Sequence, residues 1–362
     1  ASASPAVGRN MVINGAMNVA QRATSATGVG ATSNVFPTLD RYAILLGAGA
    51  GRLTMTQTAD GPNGISANCL KLDCTTADTS IAAGEYLGIW HKFEGQNVQR
   101  IGKGVAGAKQ VTVSFYVKAN AAATYLVELE DADNGRTNGK LFPVTTDWVR
   151  QEIVFEADVD DGSSPLDDDN ATSLVLAWYL HGGSNFTSGT LASGWANTVN
   201  ANRLVGIDSF FDSTDNTLFI TGVQMEVGPV ATEFEQEDIG TTLAKCQRYC
   251  QRHPSQDQAD SGAFSMLSNG FCDTTTTVST FKDLPVSMRI EPTASFSGDW
   301  RVIRINTATA ISSGPTIVDA FSTNSGASIA ATVGSTALTA GQGISITANS
   351  DVDAHLILDS EL

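Results

Sequence analysis

Four histidines are the first residues to test for catalytic chemistry, and they are His91, His181, His253 and His355. None stands in a local serine, cysteine or metal-ligand motif. The sequence also contains no G-x-S-x-G, H-E-x-x-H, P-loop or dinucleotide-binding motif. Catalytic groups that are distant in sequence can meet in space, so the pattern does not exclude a hydrolase. It identifies no nucleophile, however, and we predict that the protein is not an enzyme.

Two segments combine aromatic side chains with glycine and polar residues: YLGIWHKFEG at 86–95 and WYLHGGSNFTSGTLASGW at 178–195. Exposed aromatic rings stack on the apolar face of a sugar while neighbouring polar groups bond its hydroxyls. The alternative is that the tryptophans fill the protein core, as large aromatic residues often do. The predicted glycan-binding residues are Trp90, His91, Tyr179, His181, Asn185, Phe186 and Trp195.

An acidic loop, DVDDGSSPLDDDNA at 158–171, gathers carboxylates of the kind that bind Ca²⁺. Its spacing departs from the EF-hand pattern because Gly162 falls one position early when Asp158 is taken as the first ligand. A solvated acidic loop is the simpler interpretation. We therefore expect no cofactor, and calcium is the one alternative, with Asp158, Asp160 and Asp161 as its candidate ligands.

The composition narrows the classes of partner. The 362 residues include 38 acidic and 21 basic side chains, a formal net charge of −17, and no Lys/Arg-rich block. We therefore expect no nucleic-acid partner. No stretch approaches the roughly 20 apolar residues of a membrane span, so we expect no membrane insertion. Five cysteines without metal-ligand spacing predict reduced, packed thiols.

The elements that must position these residues are mainly strands. VTVSFYVKA, from Val111 to Ala119, alternates apolar and polar residues, and further strand patterns follow at intervals separated by turn-forming residues. The segment Leu174–Leu180 is apolar on both faces, as expected for a central strand covered on each side. The pattern predicts an all-β protein with an N-terminal jelly-roll β-sandwich over residues 1–238.

A short connecting helix is predicted over residues 239–254, with Thr241 or Thr242 as its N-cap and Pro254 beyond its end. Such a short helix needs a docking surface. A smaller C-terminal β domain is predicted over 255–362. It has few large apolar side chains between 304 and 350, so we expect it to gain burial from neighbouring subunits. The predicted junction or oligomer contacts are Ile239, Leu243, Cys246 and Cys250.

Several blocks together resemble a group of bacteriophage tail-fibre proteins that is common in marine phages. They are GRNMVINGAMNVAQR at 8–22, DRY at 40–42, KQVTVSFYVKAN at 109–120, ITGVQMEVGPVATEFE at 220–235, LAKCQRYCQR at 243–252, FKDLPVSMRIEPTASF at 281–296 and LDSEL at 358–362. The resemblance spans almost the whole chain. It implies a jelly roll like that of carbohydrate-binding modules, a homotrimer, and adsorption to a bacterial surface glycan. It supplies no established catalytic or binding residues.

From these observations we predict a fibre protein of the virion, made in the host cytoplasm. Its expected partners are two further copies of itself, a virion adaptor or tail protein, and a host surface polysaccharide. Two alternatives remain open. One is a capsid or tail decoration protein with a structural role. The other is a tailspike-like glycan hydrolase or deacetylase.

Overall fold

The computed structural model describes residues 8–30, 35–47, 49–159, 165–254, 265–304, 307–312, 314–318, 322–335 and 337–362. The chain separates into two units, residues 1–242 with Leu362 and residues 243–361. The first unit contains the segments with the predicted glycan-binding residues.

Two antiparallel sheets make up the described part of the first unit. In chain order the strands are β1 (Ser25–Val29), β2 (Ala43–Gly47), β3 (Arg52–Thr58), β4 (Cys69–Thr76), β5 (Tyr86–Glu94), β6 (Val111–Ala119), β7 (Ala123–Asp131), β8 (Arg136–Val144), β9 (Val149–Phe155), β10 (Thr172–Gly182), β11 (Ala196–Asn197) and β12 (Thr217–Val227). The first sheet has the order β1-β3-β4-β12-β6-β9, and the second has the order β11-β8-β7-β10-β5-β2. The predicted β-sandwich is confirmed.

The sandwich core forms where alternating side chains of the two sheets meet. Val113 and Phe115 of β6 are fully buried, and the Phe115 ring lies edge-on to Trp178 of β10 with centroids 5.6 Å apart. On the other face of β10, Val175 and Tyr179 belong to a second buried cluster. Strand β10 is thus covered on both sides, as its doubly apolar sequence predicts.

Helices are short in the described residues: α1 (Gly95–Val98), α2 (Ser184–Thr187) and α3 (Ile239–Gln247), with 3₁₀ turns at Gln99–Ile101 and Asn200–Asn202. None is long and apolar enough to cross a membrane.

The predicted connecting helix is shorter than expected. Helix α3 ends at Gln247, because the following residues form strand β13 (Cys250–His253), which pairs antiparallel with residues 356–359. Asp238 provides the cap in place of Thr241 or Thr242. Its Oδ1 accepts hydrogen bonds from the backbone N–H groups of Gly240 (2.9 Å) and Thr241 (3.3 Å).

The four residues predicted at the junction differ in exposure. Ile239 is 54% exposed and Leu243 is half-buried, whereas Cys246 and Cys250 are fully buried. All five cysteines of the chain are buried, and none forms a disulfide.

The second unit continues with β14 (Met266–Cys272), β15 (Thr277–Asp283), β16 (Thr293–Ser297), β17 (Trp300–Arg304), β18 (Thr307–Ala310), β19 (Thr316–Ile317), β20 (Gly326–Thr332), β21 (Gly343–Ala348) and β22 (His355–Asp359). One sheet has the order β13-β22-β16, and the other has the order β18-β17-β21-β14-β15-β20-β19.

This unit has a core of its own, which includes Leu267, Trp300, Ile346 and Leu356. The expectation that it buries little by itself is therefore wrong. The tract at 304–350 itself contributes Ile329, Val333 and Ile346 to this core, which pack with large side chains from both sides of the tract.

Candidate functional site on the second sheet

The second sheet has one face directed away from the sandwich core, and residues 183–207 pass over it. Leu204 of this covering segment is buried against Leu126, Val175 and Tyr179 of the sheet, with Phe186 packed beside them. A face that would otherwise be open to solvent therefore becomes partly enclosed.

A cavity of about 260 Å³ remains between the sheet and the covering segment. Strands β2, β5 and β10 provide its floor, while α2, the 3₁₀ turn and the residues just after that turn provide its cover. The lining side chains are Leu45, Tyr86, Trp90, Tyr179, Phe186, Asn200, Arg203 and Leu204.

Four aromatic rings meet in this cavity. The Trp90 and Tyr179 rings lie 6.4 Å apart at 82°, and those of Tyr86 and Phe186 lie 5.2 Å apart at 73°. Both are edge-to-face pairs, a favourable arrangement for aromatic side chains. Gly88 makes room for the first pair, because a Cβ atom there would lie 2.8 Å from Trp90 Nε1 and 3.2 Å from Tyr179 Cε1.

Arg203 fastens the covering segment to the sheet. Its Nε donates to both carboxylate oxygens of Glu128 at 3.2 Å, and its Nη2 donates to Glu128 Oε1, to Glu130 Oε2 (2.7 Å) and to Tyr179 Oη (3.0 Å). The guanidinium also lies 5.6 Å from the Tyr179 ring centroid. Burial raises the pKa of Glu128 to about 7, against the opposing effect of Arg203.

Backbone contacts fix the rest of the covering segment. Leu204 donates its N–H to Phe186 O at 2.9 Å. This bond joins α2, near the start of the covering segment, to the residues after the 3₁₀ turn, near its end. Asn202 Oδ1 accepts a hydrogen bond from Thr190 N at 3.0 Å. These bonds pre-organise the cavity wall, which reduces the entropy lost when a ligand binds.

Three of the seven predicted glycan-binding residues, Trp90, Tyr179 and Phe186, line the cavity. Asn185 is exposed beside it, with its backbone N–H donating to Ala83 O at 2.9 Å. His91 follows Trp90 on the same strand, so it faces the opposite side of the sheet and is fully buried beside Tyr42. The structure therefore separates His91 from the cavity.

His181 lies outside the cavity, beyond an irregularity in the pairing of β10 with β5 between Tyr179 and His181. Its Nε2 lies 3.3 Å from Glu85 Oε2 and its Nδ1 lies 2.8 Å from Ser209 Oγ. A carboxylate can only accept, so Nε2–H donates to Glu85 and Nδ1 accepts from Ser209. Burial lowers the pKa of His181 despite Glu85, which favours this neutral form.

Trp195 also lies apart from the cavity and faces a buried ion cluster. Lys103 Nζ is 5.0 Å from its ring centroid. The same ammonium contacts Asp131 and lies 2.9 Å from Asp158 Oδ2, and Arg136 Nε also lies 2.9 Å from that oxygen.

Protein cations therefore neutralise Asp158, the first predicted calcium ligand. Asp160 and Asp161, the other two, lie outside the described residues. Among the residues that are described, no three His, Cys, Asp or Glu side chains are grouped as a metal site.

The sequence interpretation missed Tyr86, Arg203, Leu45, Leu204 and Asn200. Tyr86 stands at the start of a segment that had been selected, and its alternation with Gly88 and Trp90 places all three on one face. Arg203 and Asn200 lie in NANRLVG at 200–206. No local pattern in that stretch indicates that Arg203 pairs with Glu128, which lies 75 residues earlier in the chain.

Comparison with models of known protein families finds no match, and comparison with curated protein sequences finds none. Comparison with solved structures finds carbohydrate-binding modules. A family 11 module of a cellulosomal cellulase from Clostridium thermocellum is 12% identical, with a TM-score of 0.28, over 57% of this chain and 97% of the module. A family 30 module from the same organism is 11% identical, with a TM-score of 0.28, over 60% of this chain and 95% of the module. The module TmCBM61, solved with β-1,4-galactotriose, is 9% identical, with a TM-score of 0.30, over 61% of this chain and 99% of the module.

Proposed function

We propose that this chain is a bacteriophage fibre protein whose first unit binds a surface glycan of the host bacterium. The observation that carries the binding role is the cavity of about 260 Å³ on the second sheet, where Tyr86, Trp90, Tyr179 and Phe186 meet. Aromatic walls suit the apolar faces of a sugar, and Asn200 at the rim can bond its hydroxyls.

The virion role is supported by the ordered sequence blocks that resemble tail-fibre proteins. In this proposal the protein acts as a homotrimer on the virion, held by an adaptor or tail protein, and has no catalytic step. Three copies of a weak site would raise the effective affinity by a factor of about 10² to 10⁴.

Binding of the fluorescently labelled protein to host cells tests this function, with isolated surface polysaccharide as competitor. We expect saturable binding that the polysaccharide displaces and that Trp90→Ala weakens by at least about tenfold, since buried aromatic side chains dominate binding energies. Trp148→Ala is the matched control. Trp148 packs against Phe219 of the first sheet (centroids 6.3 Å apart) and does not line the cavity.

The outcomes separate adhesion from a structural role. Equal binding to cells by the Trp90 and Trp148 variants would show that the cavity is not the glycan-binding site. Stoichiometric binding to virion components with no binding to cells would favour a decoration protein.

One observation favours a second candidate, a glycan deacetylase. The Ser209–His181–Glu85 hydrogen-bonded chain has the donor order by which a histidine activates a serine. However, His181 is only 2% exposed, and Ser209 Oγ also accepts a hydrogen bond from Phe211 N at 3.1 Å. Both features favour a structural role, rather than a catalytic one, for the hydrogen bonds among Ser209, His181 and Glu85.

Acetate release from host polysaccharide distinguishes the two candidates. We expect none from the wild-type protein at high concentration. Acetate release that Ser209→Ala abolishes would replace the non-catalytic proposal with the deacetylase.

A further inference from the structure

The walls of the cavity are mainly apolar. Six of the eight lining side chains are aromatic or aliphatic. The polar atoms on the lining side chains are those of Asn200 and Arg203, the Tyr86 and Tyr179 hydroxyls, and Trp90 Nε1, which is buried without a hydrogen-bond partner among the described residues. A sugar hydroxyl that enters such a cavity leaves water and finds few partners, which weakens binding by about tenfold or more for each unpartnered group. A methyl group at the same place has no such cost and gains affinity from burial.

The cation that lines the cavity is already paired within the protein. Arg203 donates to both Glu128 and Glu130, so its positive charge faces two carboxylates. An acidic sugar would meet those carboxylates, and Arg203, the one cation among the described lining residues, is already paired with them. The cavity therefore favours an uncharged ligand.

The size of the cavity restricts how much of a glycan can enter. A volume of about 260 Å³ lies below the roughly 300–1,000 Å³ of pockets for drug-sized ligands. The covering segment closes the sheet face over Tyr179, where Leu204 is buried. Such a space accommodates one sugar at the end of a chain.

We propose that the cavity recognises an uncharged terminal sugar that carries a methyl group. The methyl group would lie among the aromatic side chains, and the hydroxyls would face Asn200 and solvent. Two of the kinds of sugar that present this chemistry are 6-deoxyhexoses, through the C6 methyl, and N-acetylated sugars, through the acetyl methyl. The inference rests on the proposed glycan-binding role of the same cavity.

Titration of the 362-residue protein with matched sugars tests the inference, by calorimetry or ligand-observed NMR at millimolar sugar. Methyl L-fucoside is compared with methyl L-galactoside, from which it differs in having a methyl group in place of the C6 hydroxymethyl group. N-acetylglucosamine is compared with glucose. We expect the methyl-bearing sugar of at least one pair to bind at least about fourfold more tightly, the gain from burying one methyl group. The pair that shows the preference identifies the kind of sugar.

Variants of the protein test whether the preference for the methyl-bearing sugar arises at the cavity. Phe186→Ala enlarges the cavity and should abolish the preference, whereas Trp148→Ala, at a residue packed against the other sheet, should retain it. Gly88→Ala adds a methyl group 2.8 Å from Trp90 Nε1 and should weaken both members of a pair. Thermal unfolding of each variant shows whether the protein is still folded.

Negative results in these experiments distinguish a failure of the methyl-group inference from a failure of the proposed glycan-binding role. Equal affinity within both pairs would overturn the methyl-group inference, and glycan binding would stand if Trp90→Ala still weakened attachment to cells. No binding of any sugar, together with unchanged cell binding by the Trp90 variant, would overturn both proposals.

Discussion

The Lys103 side chain shows how single residues determine the stability of the first unit. Its ammonium is 2% exposed and contacts two carboxylates, those of Asp131 and Asp158, which are 0% and 3% exposed. Removing one partner of a buried ion pair leaves an uncompensated charge, which usually costs about 3–5 kcal/mol. Lys103 and Arg136 thus supply to Asp158 the positive charge that a bound calcium ion would have supplied.

We expect Lys103→Met to lower the free energy of unfolding by roughly 3 kcal/mol at neutral pH, because Asp131 loses its ammonium partner. Urea denaturation measures this as a lower midpoint with an unchanged slope. Lys140→Met is the control, since the Lys140–Glu156 pair is 23% and 52% exposed and should contribute less than about 1 kcal/mol. A Lys103 variant as stable as the control would contradict the prediction.

Strand β13 shows an effect at the scale of one element. His253 ends this strand, and its Nε2 lies 3.1 Å from Gln251 Oε1. Burial, and secondarily the charge of Lys282, lower the pKa of His253 from 6.5 to about 4. A histidine that is neutral when folded and takes up a proton when unfolded stabilises the fold above pH 6.5 and loses that contribution as the pH falls toward 4.

We expect acidification from pH 7 to about 4.5 to destabilise the wild-type protein more than His253→Gln, by up to about 3 kcal/mol. The variant removes the titrating group and leaves the carboxylates unchanged, so the difference between the two proteins isolates His253. Denaturant unfolding at several pH values measures it. Parallel stability curves for the two proteins would show that His253 has no such role.

At the scale of the whole molecule, the proposed fibre role requires assembly. We expect sedimentation equilibrium at micromolar concentration to give three times the mass of one chain. Saturable binding to cells should then be tighter than binding to a single sugar by a factor of about 10² to 10⁴, because one trimer engages several glycans. A monomer with equal affinity for free and cell-bound sugar would contradict both the trimer and the avidity argument.

Local pattern accounts for most of the sandwich and for part of the site. Alternation predicts β6, and the doubly apolar sequence of β10 predicts that both of its faces are covered. The shared face of Trp90 and Tyr179 follows from the register in which β5 pairs with β10, which the local pattern does not contain. Nor can the pattern show that the pairing of β10 shifts between Tyr179 and His181, because that shift depends on the neighbouring strand.

Contacts between residues that are distant in sequence could not be predicted either, because they too depend on how separate segments fold together. The pairing of Arg203 with Glu128 and that of Lys103 with Asp131 arise only when separate segments meet. No local spacing encodes such pairs of charges, so neither the attachment of the covering segment nor the neutralisation of Asp158 could be predicted.

The buried cysteines have a consequence for how the chain withstands oxidation. Burial raises the pKa of both Cys69 and Cys74 to about 11, so at about pH 8 only about one of these thiols in a thousand is a reactive thiolate. The first unit thus contains thiols that are slow to react with oxygen or peroxide while the fold remains closed. A protein made in a reducing compartment could then persist in aerated water without forming disulfides at these positions.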